Sequence, residues 1–380
     1  MLRRIIGHIK GIKRKMMMFL FMHNFFYKIK CVPEKNWENS LSALQEFTDR
    51  FQNLMVKDIL HTEIKDYREG KYVGGVLINE TTACCIPNSS RQIILFNTDT
   101  LEYKKWGLLS EEKFKWSGGG QKGPYVFAFP RACNKVLRID CQKLETEEID
   151  ISINYKGEHH YGGVLCKNGI IYQPPRNTNH LLAINTVSWQ VHKIKLLHGF
   201  YNKLRYCASV VHPNGYVYFL PERNERVIMF YPPTEKFVFI GKFLSECMVF
   251  HAVVSVDGNI YGFSLYNGIL KIDVRKNYVE MLYMETYFGC YGTKLGINGK
   301  IYGIVGDGEI FWEYDVVKCE LKKVAVINDR QKAKCAGGFT DREGNIHMIP
   351  TFGDKIYTLN FNNKEKIPEI LYKQYFSDNY

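Results

Sequence analysis

The sequence predicts an all-β protein, a seven-bladed β-propeller with an N-terminal helical extension. Three observations predict this fold. Residues 71–380 contain seven copies of one unit of 41–46 residues, each copy contains four short strand patterns, and no helical pattern lies between them. Repeated four-stranded units are typical of β-propellers, which usually have four to eight blades around a central channel. We therefore assign residues 71–380 to the propeller.

The first strand of each unit opens on a pair of small residues. Glycine lets neighbouring backbones approach closely, as the innermost strands of a propeller must do around the axis. The seven pairs are Gly74-Gly75, Gly118-Gly119, Gly162-Gly163, Ala208-Ser209, His251-Ala252, Gly292-Thr293 and Gly337-Gly338.

A short turn and a second strand follow. Five copies have Asn-Gly, Asp-Gly or Glu-Gly at the turn, as in Asn168-Gly169. Asn-Gly and Asp-Gly accept the positive φ of a tight hairpin. The second strand reaches an aromatic or similar residue, and in five copies proline stands three positions later. Proline cannot donate to a strand ladder, so it marks where the strand ends. The marker residues are Cys84, Phe127, Tyr172, Tyr218, Tyr261, Tyr302 and His347.

The third strand is an apolar run that closes on Asp or Asn in six copies, as in residues 181–185 and 269–273. We expect this last side chain to start the next turn by accepting bonds from its own backbone. A fourth strand is predicted after it in each copy, for example over residues 190–194.

The region before the propeller divides into two segments. Residues 37–70 are assigned to an amphipathic helix, because apolar residues recur at three- and four-residue steps over 37–66. Such a helix usually docks on its own domain, and pairing with a partner helix is the alternative. Residues 1–36 form a basic hydrophobic segment, in which residues 1–33 carry eight Lys or Arg and no acid.

Residues 16–27 form a twelve-residue, mainly apolar run within that basic segment. The run is shorter than the roughly 20 residues that a membrane-spanning helix needs. It resembles part of a secretory signal but lacks a small-residue cleavage site, and a mitochondrial presequence is also compatible with it. A helix at a membrane surface, a disordered tail and a helix packed on the propeller remain further readings.

The eleven cysteines include no Cys-x-x-Cys pair. This pattern fits neither a disulfide scaffold nor a zinc site, and it favours reduced, buried thiols in a cytoplasmic protein, with membrane or organelle association through residues 1–33 left open. No metal or cofactor is predicted.

The repeats resemble those of kelch, NHL and streptogramin-lyase-type propellers. The resemblance rests on DGNIYG (257–262), NGKIYG (298–303) and EGNIH (343–347), each followed by a strand closing on Asp or Asn. It covers about 300 residues and implies the propeller fold. Kelch units have glycines after the second strand, where five copies here have proline. Lyase or lactonase relatives would imply a His, Glu or metal cluster at the axis.

Binding is expected on the face that carries the loops between strands two and three and between blades, since rigid scaffolds present ligands with such loops. An aromatic residue stands one or two positions before the opening pair in six copies. These residues either rim the channel mouth or stack between blades. They are Tyr72, Trp116, Tyr161, Tyr206, Phe250 and Tyr291.

Basic residues gather in the loops of the first four copies. We predict a positive side to this face that suits an acidic or phosphorylated protein segment, and a solvated surface of mixed charge is the alternative. His159 and His160 are neighbours on an extended segment, so they point in opposite directions and do not form a metal pair. The basic candidates are Arg91, Arg131, Arg176, Arg205, Arg223, His159 and His160.

The sequence therefore favours a monomeric, non-catalytic scaffold that binds a protein partner through this face. Peripheral membrane contact through residues 1–33 is a further prediction, and nucleic acid is not expected, since no recognition motif is present. The alternative is a lyase or hydrolase with its site at the channel mouth. Convergence of His159, His160 and His198 with a carboxylate at the axis would favour the enzyme.

Overall fold

The computed structural model describes residues 36–66, 68–152, 158–196, 204–223, 225–245 and 247–377. The predicted propeller is confirmed: the strands of this described part form seven antiparallel sheets, and inner strands of neighbouring blades contact one another around the axis. The predictions for residues 1–35 lie outside the described residues. No described helix is long and apolar enough to cross a membrane.

Blades 1 to 4 follow the chain in order. Blade 1 contains β2 (Tyr72–Leu77), β3 (Thr82–Pro87), β4 (Ile93–Asn97) and β5 (Tyr103–Trp106), and blade 2 contains β6 (Trp116–Lys122), β7 (Tyr125–Pro130), β8 (Lys135–Asp140) and β9 (Glu145–Asp150). Blade 3 contains β10 (Val164–Leu165), β11 (Ile170–Gln173), β13 (His180–Asn185) and β14 (Val191–Lys195). Blade 4 contains β15 (Leu204–Val211), β16 (Val217–Pro221), β17 (Glu225–Tyr231) and β18 (Lys236–Leu244), joined by β12 (Arg176–Thr178) from the blade 3 loop.

The last three blades complete the ring. Blade 5 contains β19 (Val253–Val254), β20 (Ile260–Phe263), β21 (Asn267–Asp273) and β22 (Tyr278–Tyr287), and blade 6 contains β23 (Cys290–Leu295), β24 (Ile301–Val305), β25 (Ile310–Asp315) and β26 (Glu320–Val326). Blade 7 contains β27 (Cys335–Thr340), β28 (Ile346–Pro350) and β29 (Lys355–Asn360), with β1 (Asp58–Glu63) as its outer strand.

Blade 7 corrects two predictions from the sequence. No fourth strand follows β29 in the described residues up to 377; instead, β1 pairs with β29 in antiparallel register, with Leu60 opposite Thr358. The predicted helix over 37–66 therefore fails in its second half, and α1 spans only Trp37–Asp49. The apolar spacing continues beyond Asp49, but the open edge of β29 supplies backbone partners that residues 58–63 satisfy as a strand.

Two repeated side-chain devices build the blades. The turn Asn or Asp bonds the aromatic marker four residues later, as Asn298 Nδ2 donates to Tyr302 OH at 2.9 Å and Tyr261 OH donates to Asp257 at 2.7 Å. The residue closing the third strand caps the next turn, as Asn97 Oδ1 accepts two backbone N–H groups at 2.9 Å. The predicted capping role of the Asp and Asn residues is thus confirmed.

The glycine pairs permit the close inner packing that the sequence predicts. Gly337 has a φ of +67°, and a Cβ added there would lie 3.0 Å from the Cα of Gly74 in the next blade. A side chain at this position would therefore collide with the neighbouring backbone.

The propeller has two unlike faces. We call the side with the turns between first and second strands the turn face, and the opposite side the loop face. On the turn face, α1 buries Leu41, Leu44 and Phe47 over blades 4 to 6, and Gln45 donates to the carbonyl of Val256 at 2.7 Å. The structure confirms the predicted docking of the helix on its own domain.

The C-terminal segment lies beside α1 on the turn face. A helical turn, α2 (Glu369–Leu371), leads into a π-helix, Tyr372–Phe376, which packs against β19 and β23. Tyr375 OH lies 2.8 Å from Ser40 Oγ of α1. The two terminal helices together cover the turn-face ends of blades 5 and 6.

Candidate functional site: the loop face and channel mouth

The spacing before the opening pair decides where each predicted aromatic residue lies. Tyr72, Trp116 and Tyr206 stand two positions before the pair, and each is 0 % exposed. Tyr161, Phe250 and Tyr291 stand one position before it and line the channel mouth. Successive side chains of a strand point to opposite faces, so one step of register separates the two groups.

The first three aromatic residues are interior residues rather than rim residues. Their polar atoms are bonded inside the fold: Tyr72 OH lies 2.9 Å from Ser90 Oγ, Trp116 Nε1 donates to the carbonyl of Lys135 at 2.8 Å, and Tyr206 OH donates to that of Arg226 at 2.6 Å. These three residues therefore stack between blades and do not rim the channel mouth.

The other three form a compact group, which we call the aromatic mouth. Phe250 and Tyr291 are stacked with ring centroids 4.7 Å apart, and Tyr161 meets Phe250 edge-on at 5.7 Å. Aromatic pairs favour these two arrangements. Because the equivalent residues of blades 1, 2, 4 and 7 are not aromatic, the rings occupy one side of the mouth. The cavity beneath them measures only about 60 Å³.

Strand β12 places a chain of alternating charges beside the mouth. β12 pairs with β15 and sets Arg176 opposite Arg205. Arg176 contacts Glu158 at 2.8 Å and Glu222 at 3.1 Å, and Arg205 contacts Glu222 at 3.0 Å. Burial lowers the pKa of Arg176, but the two carboxylates outweigh it, and the net shift is upward.

The same charges fix the orientation of Tyr161. Arg131 bonds Glu158 at 2.5 Å, and the guanidinium groups of Arg131 and Arg176 each lie 4.9 Å from the centroid of the Tyr161 ring. Stacked guanidinium groups are held by the ring quadrupole as well as by their ion pairs. The ring is therefore a rigid part of the mouth.

Ion pairing reduces the positive field that the sequence predicts for this face. Arg91 pairs with Glu111, and Arg131, Arg176 and Arg205 share two glutamates. Arg223 differs: its guanidinium donates to Tyr266 OH at 2.8 Å, and no carboxylate of the described chain pairs with it. Tyr266 packs against the buried cluster that contains Tyr161, so Arg223 is an exposed charge beside the mouth.

The histidines predicted as an enzymatic alternative do not meet at the axis among the described residues. His160 is 3 % exposed, and its Nδ1 lies 3.0 Å from the carbonyl oxygen of Pro174. Burial lowers its pKa to about 3, so the ring is neutral at physiological pH. His198 lies outside the described residues. Within the described residues, no group of three or more His, Cys, Asp or Glu side chains could hold a metal ion.

Three buried lysines also shape this face, and the sequence analysis missed them. Lys71, Lys115 and Lys334 stand three positions before the opening pair in blades 1, 2 and 7, and all are buried. The Lys115 ammonium donates to the carbonyls of Ser90, Ser110 and Glu112 at 3.0–3.1 Å, while burial lowers its pKa to about 8. The recurrence of lysine at one repeat position was the available signal.

The comparisons with known proteins support the fold. No protein-family model and no curated protein matches the sequence. Solved structures do match. A streptogramin B lyase shares 12 % identity over 80 % of this chain and 97 % of its own, with a TM-score of 0.67. The virginiamycin B lyase of Staphylococcus aureus shares 13 % identity over 79 % of this chain and 98 % of its own, with a TM-score of 0.66.

A third matching structure comes from a different kind of protein. The extracellular domain of a proposed one component system from B. thetaiotaomicron shares 10 % identity, with a TM-score of 0.61, over 80 % of this chain and 40 % of the other. Identities this low establish the propeller fold and carry no catalytic group or ligand to this chain. The predicted likeness to a propeller repeat protein is therefore confirmed at the level of fold.

Proposed function

We propose that this chain is a non-catalytic propeller scaffold that binds another protein through the aromatic mouth and Arg223. The observation that carries the proposal is the exposed Arg223 guanidinium, without a carboxylate partner in the described chain, beside the apolar group of Phe250, Tyr291 and Tyr161. Tyrosine and arginine are enriched among residues that dominate binding energy at protein interfaces.

The supporting structure around the mouth suits recognition without rearrangement. Arg131 and Arg176 both pack against the Tyr161 ring, and their own charges are compensated by Glu158 and Glu222. A rigid aromatic surface loses little conformational entropy when a partner covers it. The cavity below the rings is small, so the ligand lies on the mouth rather than inside the channel.

The partner we infer is a protein segment that presents an apolar side chain next to an acidic or phosphorylated residue. The apolar side chain packs on Phe250 and Tyr291, and the anionic group pairs with Arg223. A charge-assisted hydrogen bond to a guanidinium is roughly twice as strong as a neutral one.

The test is quantitative affinity capture from cell extract with wild-type protein and two variants, Phe250→Ala and Arg223→Glu. Matched controls are Tyr278→Ala, an exposed tyrosine on an outer strand, and Arg330→Glu, an exposed arginine on the loop face. We expect at least one protein to be retained by the wild type and the controls and lost by both variants.

Titration of that purified partner follows the capture. Either variant should weaken binding by about 1–3 kcal/mol, as truncation of an interface anchor does. If every captured protein survives both variants, the mouth is not the recognition surface and the proposal fails.

A further inference from the structure

The turn face is covered on one side only. Helix α1 lies over the turns of blades 4 to 6, where Leu41 packs at Gly258 and Thr48 at Gly299. Over blades 1 to 3 the described chain leaves an open groove of about 750 Å³ between the first turns of those blades and the C-terminal helical segment. This groove is on the opposite side of the ring from the aromatic mouth.

The floor and one wall of the groove are apolar. Val76 and Leu165 of the inner strands and Tyr372 of the π-helix are buried beneath it. Ile370, on the short helix α2, forms part of the wall and is 72 % exposed. Covering an exposed isoleucine beside an apolar floor with an apolar group is favourable, because apolar surface is removed from water.

The rim of the groove is positively charged. Lys122, Lys167, Arg342 and Lys373 line it, against two carboxylates. Both carboxylates are already engaged: Glu80 contacts Arg342 and Lys366 at 2.9 Å each, and Glu369 contacts Lys373. The remaining field is therefore positive.

Lys122 is the cation best placed to receive an anion. It extends from the blade 2 turn towards blade 3, where its ammonium lies against the backbone of Gly169, in the space that a Cβ on this glycine would occupy. No carboxylate of the described chain pairs with Lys122, and its side chain is exposed.

We propose that this groove binds a free single-chain anionic amphiphile, such as a fatty acid. The chain covers Leu165 and Ile370, and the carboxylate pairs with Lys122. The volume lies within the roughly 300–1,000 Å³ of small-molecule sites. A three-turn helix, about 10 Å wide and about 16 Å long, exceeds that volume and would stand partly outside the open groove, whereas a single acyl chain is thin enough to lie along its floor.

The experiment titrates full-length protein with cis-parinaric acid, a fluorescent fatty acid, and repeats the titration with its uncharged methyl ester. Two variants alter the groove, Lys122→Glu and Ile370→Ser. Two exposed residues elsewhere on the turn side serve as controls, Lys143→Glu and Val317→Ser. All four positions are exposed, and circular dichroism verifies that each variant folds.

We expect saturable binding of the acid. Lys122→Glu should weaken it by about tenfold, because the charge pair is lost and the new carboxylate repels the ligand. Ile370→Ser should weaken it by about three- to tenfold through loss of apolar contact. The controls should bind as the wild type does.

Absence of saturable binding, equal binding of acid and ester, or no effect of the groove variants would overturn the proposal. Binding to anionic vesicles without binding to the monomeric acid would assign the rim to a membrane surface instead. The Arg223→Glu variant should bind the acid normally, which separates this site from the loop face.

Discussion

At the scale of single residues, one position in the repeat decides what the loop face presents. The aromatic residues two positions before the opening pair are buried, and those one position before it reach the mouth. The sequence pattern grouped Tyr72 with Tyr161 because both precede the glycines. Strand geometry separates them, since adjacent side chains alternate between faces. The offset was visible in the sequence, and reading it strictly would have assigned three interior and three mouth residues.

Buried Glu225 gives the loop face a pH-dependent stability. Burial raises its pKa to about 7, while a hydrogen bond from the backbone N–H of Arg205 acts in the opposite direction. The folded protein then binds more protons than the unfolded chain between about pH 4.5 and pH 7, so stability falls as pH rises through that window.

The substitution Glu225→Gln should remove this penalty. We expect the variant to exceed the wild type in free energy of unfolding by on the order of 1–2 kcal/mol at pH 8, and to lose that advantage near pH 4.5. Urea unfolding at both pH values measures the difference. An advantage that does not change with pH would mean that Glu225 is not the titrating group.

The hydrogen bond between the turn residue Asn298 and the marker residue Tyr302 leads to a second prediction. Tyr302 OH donates to Glu313 at 2.7 Å and accepts from Asn298 at 2.9 Å, and all three side chains are buried. Tyr302→Phe leaves both partners short of one bond, and should cost about 1–3 kcal/mol of unfolding free energy. Tyr278→Phe, at an exposed tyrosine, should cost almost nothing. Equal effects in chemical denaturation would rule out a specific role for the bond.

At the scale of elements, α1 is stable because it is docked. A helix of 13 residues is marginal alone in water, so its apolar face supplies most of its stability. Leu44 is 0 % exposed, and Trp37 packs on buried His212 with ring centroids 5.0 Å apart. His212 in turn bonds the carbonyl of Gly258 in the next blade. The helix therefore ties blades 4 and 5 together.

Truncating Leu44 tests that docking. Leu44→Ala should weaken it by about 2–5 kcal/mol, as deletion of a buried leucine usually does. Hydrogen exchange should accelerate first across residues 37–49, ahead of the inner strands. Ser42→Ala, on the exposed side of α1, is the matched control. Exchange that accelerates equally in every blade would show that the helix does not open as a unit.

The elements also show which parts of the fold could be predicted from the sequence. Glycine pairs, turn residues, prolines and closing Asp or Asn residues each impose a local geometry, so the seven repeats and their strand order could be predicted. β1 could not be predicted, because apolar and polar residues alternate only weakly along it and its partner β29 is nearly 300 residues away. The ion pairs around Arg176 depend on β12 crossing to another blade, which no local pattern encodes. The groove depends on where the C-terminal helical segment lies.

At the scale of the whole molecule, the ring is closed by pairing a strand that precedes the repeats with the last strand of the repeats. β1 supplies the outer strand of blade 7, and Arg50 bonds Glu365 near the same junction. A propeller closed in this way couples its first and last blades, because separating them breaks a strand ladder. The cover of the turn face depends on this closure, since α1 precedes β1 in the chain.

Three versions of the chain, starting at Asn36, Val56 and Lys71, separate the contributions of α1 and β1. The first keeps both elements, the second keeps only β1, and the third lacks both. At about 1 kcal/mol per net hydrogen bond, loss of the six-residue β1 ladder should cost on the order of 5 kcal/mol. We therefore expect the largest fall in melting temperature, and new proteolysis within β29, between the Val56 and Lys71 versions. If the Lys71 version melts with the Val56 version, β1 does not close the ring, and the coupling between first and last blades must come from contacts of the inner strands β2 and β27.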